Sequence, residues 1–187
     1  MVLNIVDQLA FYGSYHHNKW NKLIHFVFVP TLILTAEIIF CYSGPLLPHV
    51  KPIHNVIPYN LAFFAFCLYA IIYIYIDFIG AISGNSLLLA CLVSANAIYK
   101  TFPVDAWKYA IALHIFSWIA QILSHKYFEG RAPALLDSFF QSLVLAPLFV
   151  CVEIGFCLGF RRALQKELEP RIIRKIAEYR KEKGKRM

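Results

Sequence analysis

Residues 23–42 read LIHFVFVPTLILTAEIIFCY, an apolar run of the length that a membrane-spanning helix needs. A helix rises about 1.5 Å per residue, so about 20 apolar residues cross the hydrocarbon core of a bilayer. Four further apolar runs follow, at residues 59–79, 86–99, 107–124 and 139–160. We interpret all five as helices, because a helix satisfies its own backbone hydrogen bonds in lipid.

The five runs predict the fold class and the domain organisation. We expect an all-α, multi-pass membrane bundle of about five to six helices at residues 1–160, followed by a basic amphipathic cytosolic tail at residues 161–187. Gly80, Gly84 and Asn85 predict a short turn before the third run. We expect both the N-terminal end and the basic tail on the cytosolic side, whereas five crossings would put them on opposite sides. Either Pro147 splits the last run into two short helices that dip in and return, which we prefer, or the N-terminus faces outward.

Charge is scarce and unevenly distributed. Of 187 residues, 59% are hydrophobic and 16% are charged, whereas a soluble domain usually carries about 25% charged residues. The net charge of +7 comes mainly from the tail, which predicts a cytosolic C-terminus beside anionic lipid and leaves nucleic-acid binding a weak alternative. Apolar positions in the tail fit a helix on the membrane surface, interrupted near Pro170.

The apolar runs contain groups that are costly in lipid. Glu153 lies deep in the last run, and Glu37 and Asp77 pose the same problem, so we expect each carboxylate to find a partner inside the bundle. The five cysteines also lie in apolar runs, in an odd number and without a Cys-x-x-Cys pair. We therefore assign the cysteines to packing rather than to disulfides or zinc.

A first histidine cluster precedes residues 23–42. On an unbroken helix, His17, Asn21 and His25 share one face at i, i+4 and i+8. His16 joins that face only if the helix breaks near Asn18, so helical spacing alone favours His17. The alternative is a belt of interfacial aromatic and histidine side chains.

A second polar stripe closes the fourth run. Its members follow at i, i+4, i+7 and i+11, and such a stripe is too polar to face lipid: His114, Trp118, Gln121 and His125. His114 lies about 16 Å from His125 along such a helix, too far for both to bind one metal. His114 is therefore a ligand of a neighbouring ion, a group that supports the metal ligands from behind, or a hydrogen-bonded core histidine.

The two clusters can meet. If the first four runs all cross the membrane, His25 and His125 emerge at the same face. Neutral imidazoles with an occasional carboxylate suit iron, zinc, copper or nickel, and Glu129 follows His125 by one turn. Arg131 could hold a carboxylate by a two-pronged hydrogen bond, or be a solvated interfacial arginine. The chain has no His-Glu-x-x-His or Gly-x-Ser-x-Gly element, which argues against zinc proteases and serine hydrolases.

Three widely spaced motifs combine these residues. Residues 11–30 carry Phe-Tyr-x-x-Tyr-His-His-Asn-x-x-Asn-x-x-Ile-His-x-x-x-Val-Pro. Residues 118–137 carry Trp-Ile-x-Gln-x-x-x-His-x-x-Phe-Glu-x-Arg-x-Pro-Ala-Leu-x-Asp, and residues 141–147 carry Gln-Ser-Leu-Val-Leu-Ala-Pro. Together the motifs resemble the endoplasmic-reticulum 2-hydroxy-fatty-acid dioxygenase family, over nearly the whole apolar part of the chain.

The resemblance implies a function and a set of site residues. It implies an Fe(2+) enzyme of the endoplasmic reticulum membrane that uses O2 to shorten a 2-hydroxy fatty acid, such as 2-hydroxypalmitate, by one carbon, in α-oxidation and phytosphingosine breakdown. His16, first in the pattern His-x4-Asn-x3-His, is then preferred to His17. The implied metal ligands are His16, His25 and His125, with His114 a less direct match, and the implied catalytic positions are Asn21, Glu129 and Arg131.

Two other functions remain open at this stage. One is a di-iron lipid hydroxylase or desaturase, although the closely spaced His-x-x-His-His boxes of those enzymes are not in the sequence. The other is a histidine-lined membrane transporter or scaffold without enzymatic activity. Metal content and the mass of the product separate these possibilities.

Overall fold

The computed structural model describes residues 4–53, 56–136, 138–139 and 141–185. Within these ranges the chain is helical and forms no strand, so the predicted all-α class is confirmed. Seven α-helices are described: α1 Ile5–Tyr15, α2 Lys19–Cys41, α3 Leu61–Ile76, α4 Phe78–Thr101, α5 Ala106–Ser124, α6 Ala146–Cys157 and α7 Arg162–Lys185. Wider π-helical turns at His125–Glu129 and Gln141–Leu145 follow α5 and precede α6.

The helical conformation is interrupted between α1 and α2, at His16–Asn18. Asn18 has an extended backbone, and its side chain accepts a hydrogen bond from the Trp20 N–H, which caps the first turn of α2. His16 ends α1, where its backbone N–H donates to the last carbonyls of that helix. The helix is therefore interrupted near Asn18, which was the condition for His16 to join Asn21 and His25 in one site.

The turn predicted at Gly80, Gly84 and Asn85 is wrong, because all three residues lie inside α4. The helices instead break one turn earlier, at Asp77, whose backbone is extended. A Cβ at Gly80 would collide with the Asp77 carboxyl group, and one at Gly84 would lie 2.9 Å from the Tyr73 ring. Gly84 thus allows close packing of α3 against α4, and Gly80 leaves room for the Asp77 side chain, so neither glycine marks a turn.

Pro147 does not split the last apolar run, because it occupies the first turn of α6, where a missing N–H costs nothing. The break lies at residues 158–161, where Gly159 and Arg161 have positive φ values of 85° and 54°. There the chain bends by 112° into α7. The Arg161 side chain binds the Asp77 carboxylate, which ties this corner to the α3–α4 break.

The helix α7 continues through Pro170, so the interruption expected there does not occur. Leu164, Leu168 and Ile172 follow at i, i+4 and i+8 and pack into the core that α1 and α6 share. This packing holds α7 together across the proline. These three residues of the tail therefore face protein, whereas Ile173 is exposed.

Two described helices, α2 and α4, are long and apolar enough to cross a membrane. The bent pair Gln141–Cys157 and Arg162–Gly184 makes a third if it forms one span, and α3 is apolar but has only 16 residues. Five crossings are thus not confirmed. The meeting of the two histidine clusters follows instead from direct packing of α2 against α5.

Candidate metal centre

Three histidines from distant parts of the chain meet at one buried point. His16 follows α1, His25 lies in the second turn of α2, and His125 begins the π-helical turn after α5. Their ring centroids are 4.4 Å (His16–His25), 4.7 Å (His16–His125) and 4.9 Å (His25–His125) apart. One ring nitrogen from each lies within 4.8 Å of the others, a spacing that can hold a metal ion.

Hydrogen bonds to the backbone orient two of the rings. His16 Nδ1 lies 2.9 Å from the Tyr12 carbonyl oxygen, and His25 Nδ1 lies 2.9 Å from the Asn21 carbonyl oxygen. A carbonyl oxygen only accepts, so both Nδ1 atoms carry the proton and both Nε2 atoms keep a free lone pair. His125 Nδ1 is buried without a hydrogen-bond partner among the described residues.

Burial keeps these imidazoles neutral. Burial first, and then the nearby His25 and His125, lower the pKa of His16 well below its usual value. Burial, then His25 and Arg131, lower the pKa of His125 to about 3. A metal binds the neutral imidazole, so the rings are ready to act as ligands at neutral pH.

Asn21 and Glu129 join the segments that carry the histidines. Asn21 is fully buried; its Nδ2 donates to Glu129 Oε1 (3.0 Å) and to the Tyr15 carbonyl oxygen (3.2 Å). Its Oδ1 accepts a hydrogen bond of 2.6 Å from Ser124. Glu129 Oε1 also accepts from the Asn18 N–H at 2.8 Å, and Glu129 is outside the three-histidine group. Two of the three predicted catalytic residues, Asn21 and Glu129, thus link the segments that carry the histidines.

Arg131 lies outside the cavity that the histidines line. Its guanidinium lies between two aromatic rings, with the central carbon 3.3 Å from the Tyr15 ring centroid and 4.0 Å from that of Tyr179. Its Nη1 donates to the Ser14 carbonyl oxygen at 3.2 Å. The arginine therefore connects α1 to α7, and with His17 it lines a separate polar cavity.

His114 lies outside the group formed by His16, His25 and His125. Trp118 Nε1 donates to His114 Nε2 at 3.1 Å, so a neutral ring carries its proton on Nδ1, which donates to Thr35 Oγ1 at 2.8 Å. Both ring nitrogens are thereby engaged, and neither lone pair is left for a metal. Of the roles left open for His114, the hydrogen-bonded core histidine fits this geometry.

A mainly apolar cavity of about 160 Å³ opens from the three histidines and extends between the helices. Tyr12, beside His16, and Ser142 both line it, and both hydroxyl groups are buried without a partner among the described residues. Its other lining residues include Phe11, Val29, Leu32, Ile33, Ala36, Glu37, Phe40, Phe66, Leu88, Leu135 and Phe149. An apolar chain with a polar head suits such a space.

Comparison with known proteins adds to this geometry. A family model described as 2-hydroxy-palmitic acid dioxygenase Mpo1-like matches residues 2–157, which include all three histidines. The chain belongs to the Mpo1-like family. It is similar to the 2-hydroxy-palmitic acid dioxygenase MPO1 of Saccharomyces cerevisiae, with 37% identity over 171 residues, or 90% of this chain and 89% of the relative. No solved structure matches the chain significantly.

The family expected from the motifs is confirmed, and the Mpo1-like match ends at the close of α6. Sequence reasoning assigned no role to Tyr12, although it stands in the first motif, four residues before His16. That spacing was the available signal, because residues four apart on a helix are neighbours. In the structure the Tyr12 ring stacks on the His16 ring at 4.0 Å. Asp137 of the second motif lies outside the described residues.

Proposed function

We propose that this protein is an Fe(2+)-dependent dioxygenase that cleaves the C1–C2 bond of a 2-hydroxy fatty acid with O2, leaving the acid one carbon shorter. Membership of the Mpo1-like family and the name of the yeast relative support this reaction. The observation that carries the proposal is the group formed by His16, His25 and His125 at the end of an apolar cavity.

The residues present fit an iron ion. Two of the three imidazoles have fixed tautomers that leave Nε2 free, and His125 Nδ1 is buried without a partner among the described atoms. Three neutral imidazole nitrogens would suit a non-haem iron ion as ligands. Bound iron would supply the redox chemistry through which O2 reacts with the 2-hydroxy acid.

The chain's own residues hold the substrate and the ligands. Asn21 and Glu129 keep the segments of His25 and His125 together through the hydrogen bonds described above. Tyr12, beside His16, is suited to donate a hydrogen bond to the substrate carboxylate, since Arg131 is engaged elsewhere. Burial, and then Glu153 and Cys151, raise the pKa of Tyr12 well above its usual value, so the phenol keeps its proton.

The cavity suits the rest of the substrate. Its walls are largely apolar, and transfer of each CH2 group from water to such walls contributes about 0.8 kcal/mol. The same walls exclude bulk water from the reacting carbons. A substrate tail that dissolves in the bilayer supports a position of the site in the membrane.

The proposal includes a location and an orientation. The basic residues of α7 support a cytosolic C-terminus beside anionic membrane lipids. The motifs that resemble the endoplasmic-reticulum 2-hydroxy-fatty-acid dioxygenases support a location in the endoplasmic reticulum membrane, and the long apolar helices α2 and α4 support more than one crossing.

The decisive experiment measures iron and product together. Purified protein, supplied with Fe(2+), O2 and 2-hydroxypalmitate, should bind iron and form pentadecanoate, detected by mass spectrometry. His125→Ala should lower iron content and turnover by about 100-fold or more. His17→Ala is the matched control: His17 is exposed and outside the group, so iron and turnover should persist.

Each alternative gives a different result. Full iron content and activity in His125→Ala would show that the assigned site is wrong. A wild-type protein with neither iron nor turnover would favour a transporter or scaffold. A product that gains oxygen without losing a carbon would favour a lipid hydroxylase.

A further inference from the structure

The three acids of the apolar runs differ in their surroundings. Asp77 pairs with Arg161, and Glu153 pairs with Lys22. Glu37 is also buried, with 4% of its surface exposed, yet its Oε2 has no hydrogen-bond partner among the residues that the structure describes. An unpaired buried polar atom is costly, so this carboxyl group needs a physical explanation.

Glu37 lies at a defined place in the cavity. It is 12 residues after His25 on α2, which places it roughly 18 Å farther along the helix axis. The α2 side chains that line the cavity between them are apolar: Val29, Leu32, Ile33 and Ala36. A substrate tail that starts at the histidines therefore meets apolar walls first and the carboxyl group of Glu37 later.

We propose that Glu37 sets the upper limit of acyl-tail length in this cavity. Tails that end before its carboxyl group are accepted, and tails that would cover the carboxyl group with methylene groups are rejected. This inference rests on the proposed function and adds the substrate class: 2-hydroxy acids with tails no longer than the stretch between His25 and Glu37.

The limit follows from two opposing effects. Each methylene group packed against the apolar walls favours binding, so a uniformly apolar cavity would bind longer tails more tightly. A methylene group that covers Glu37 cannot form a hydrogen bond, and it excludes water that could. Binding therefore improves with tail length up to the carboxyl group and weakens beyond it.

The first experiment compares two substrates in matched variants. The measured quantity is the kcat/KM for 2-hydroxylignocerate, which has a long tail, divided by the kcat/KM for 2-hydroxypalmitate. Glu37→Met removes the polar group at similar volume and should raise this ratio about tenfold or more. Glu37→Gln keeps a polar group of the same size and should keep the ratio within about twofold.

A third variant separates polarity from space. Phe40 lines the same end of the cavity, and Phe40→Leu enlarges that end while keeping the Glu37 carboxyl group. Its effect on the ratio should be clearly smaller than that of Glu37→Met. An unchanged ratio in active Glu37→Met, or an equal rise in Phe40→Leu, would overturn the inference.

A second experiment uses the wild-type protein, so it holds even if Glu37→Met does not fold. A series of 2-hydroxy acids of increasing tail length is compared with the same acids carrying a hydroxyl group at the tail end. At the length that reaches Glu37, the terminal hydroxyl group should raise kcat/KM, because it supplies the missing partner. A hydroxyl group that lowers kcat/KM at every length would also overturn the inference.

Failure of the inference and failure of the proposed function are distinguishable. If wild-type protein shortens 2-hydroxypalmitate and either experiment gives its overturning result, only the role of Glu37 is rejected. Wild-type protein without turnover rejects the proposed reaction instead. Displacement of a fluorescent fatty acid by the same acid series then still tests the length limit by binding alone.

Discussion

His25 and Glu37 lie on the same helix and are both buried, but their side chains have different surroundings at the two ends of the cavity. His25 has its Nδ1 fixed by the Asn21 carbonyl oxygen and its ring edge against two other imidazoles. Glu37 has an oxygen without a partner among the described residues, and apolar side chains separate it from the histidines. We therefore assign cleavage of the substrate to the histidine end of the cavity and selection of the tail length to the Glu37 end.

The largest expected effect tests how the histidine end is held. Asn21→Leu keeps the branched shape and the number of heavy atoms but removes the hydrogen bonds to Glu129, Ser124 and Tyr15. We expect iron binding to weaken about 10- to 100-fold, since outer residues orient metal ligands, and the free energy of unfolding to fall by about 1–3 kcal/mol. Iron titration and thermal unfolding in detergent measure the two quantities.

The control for this prediction is Glu129→Gln. Glutamine keeps the Oε1 atom that accepts from the Asn18 N–H and from Asn21 Nδ2. Iron affinity should stay within about threefold, because the bonds that join the two segments survive. Normal iron affinity in Asn21→Leu would mean that the histidines converge without this support.

The choice between His16 and His17 shows where sequence reasoning reached its limit. Helical spacing favoured His17, because that argument assumed an unbroken helix. The structure breaks the helix at His16–Asn18, where the Asn18 side chain caps α2, and His16 turns toward the other two histidines. Asparagine is a common cap, so a break there was compatible with the sequence, but the spacing alone could not select it.

The helix ends predicted from glycine and proline were wrong because those predictions, too, considered only local sequence. Gly80 and Gly84 lie inside α4, and Pro170 lies inside α7, because tertiary packing outweighs their local preferences. The expected partners of the buried acids were confirmed for Glu153 and Asp77. The missing partner of Glu37 could not be foreseen, since it depends on which side chains the fold brings near.

The next expected effect is on kcat/KM, and it tests the Tyr12 hydroxyl group, which lies beside the proposed metal ligands. Tyr12→Phe keeps the ring that stacks on His16 and removes only a hydroxyl group without a partner among the described residues. We expect kcat/KM to fall roughly 10- to 100-fold, as for loss of a hydrogen bond to a carboxylate. Iron content and thermal stability should be unchanged. A drop in iron content would instead indicate a role in holding His16.

The smallest expected effect is on the free energy of unfolding, and it is tested at two polar side chains of α2 that lie far from His25. Thr35 Oγ1 accepts a hydrogen bond from the His114 ring, whereas Glu37 Oε2 has no described partner. Thr35→Val leaves the imidazole N–H unpaired and should lower the free energy of unfolding by about 1 kcal/mol, with iron content unchanged. Glu37→Met removes an unpaired group, so stability should stay the same or rise. Equal destabilisation of both variants in thermal unfolding would show that Glu37 has a structural partner and that the two ends of the cavity differ less than the hydrogen bonds indicate.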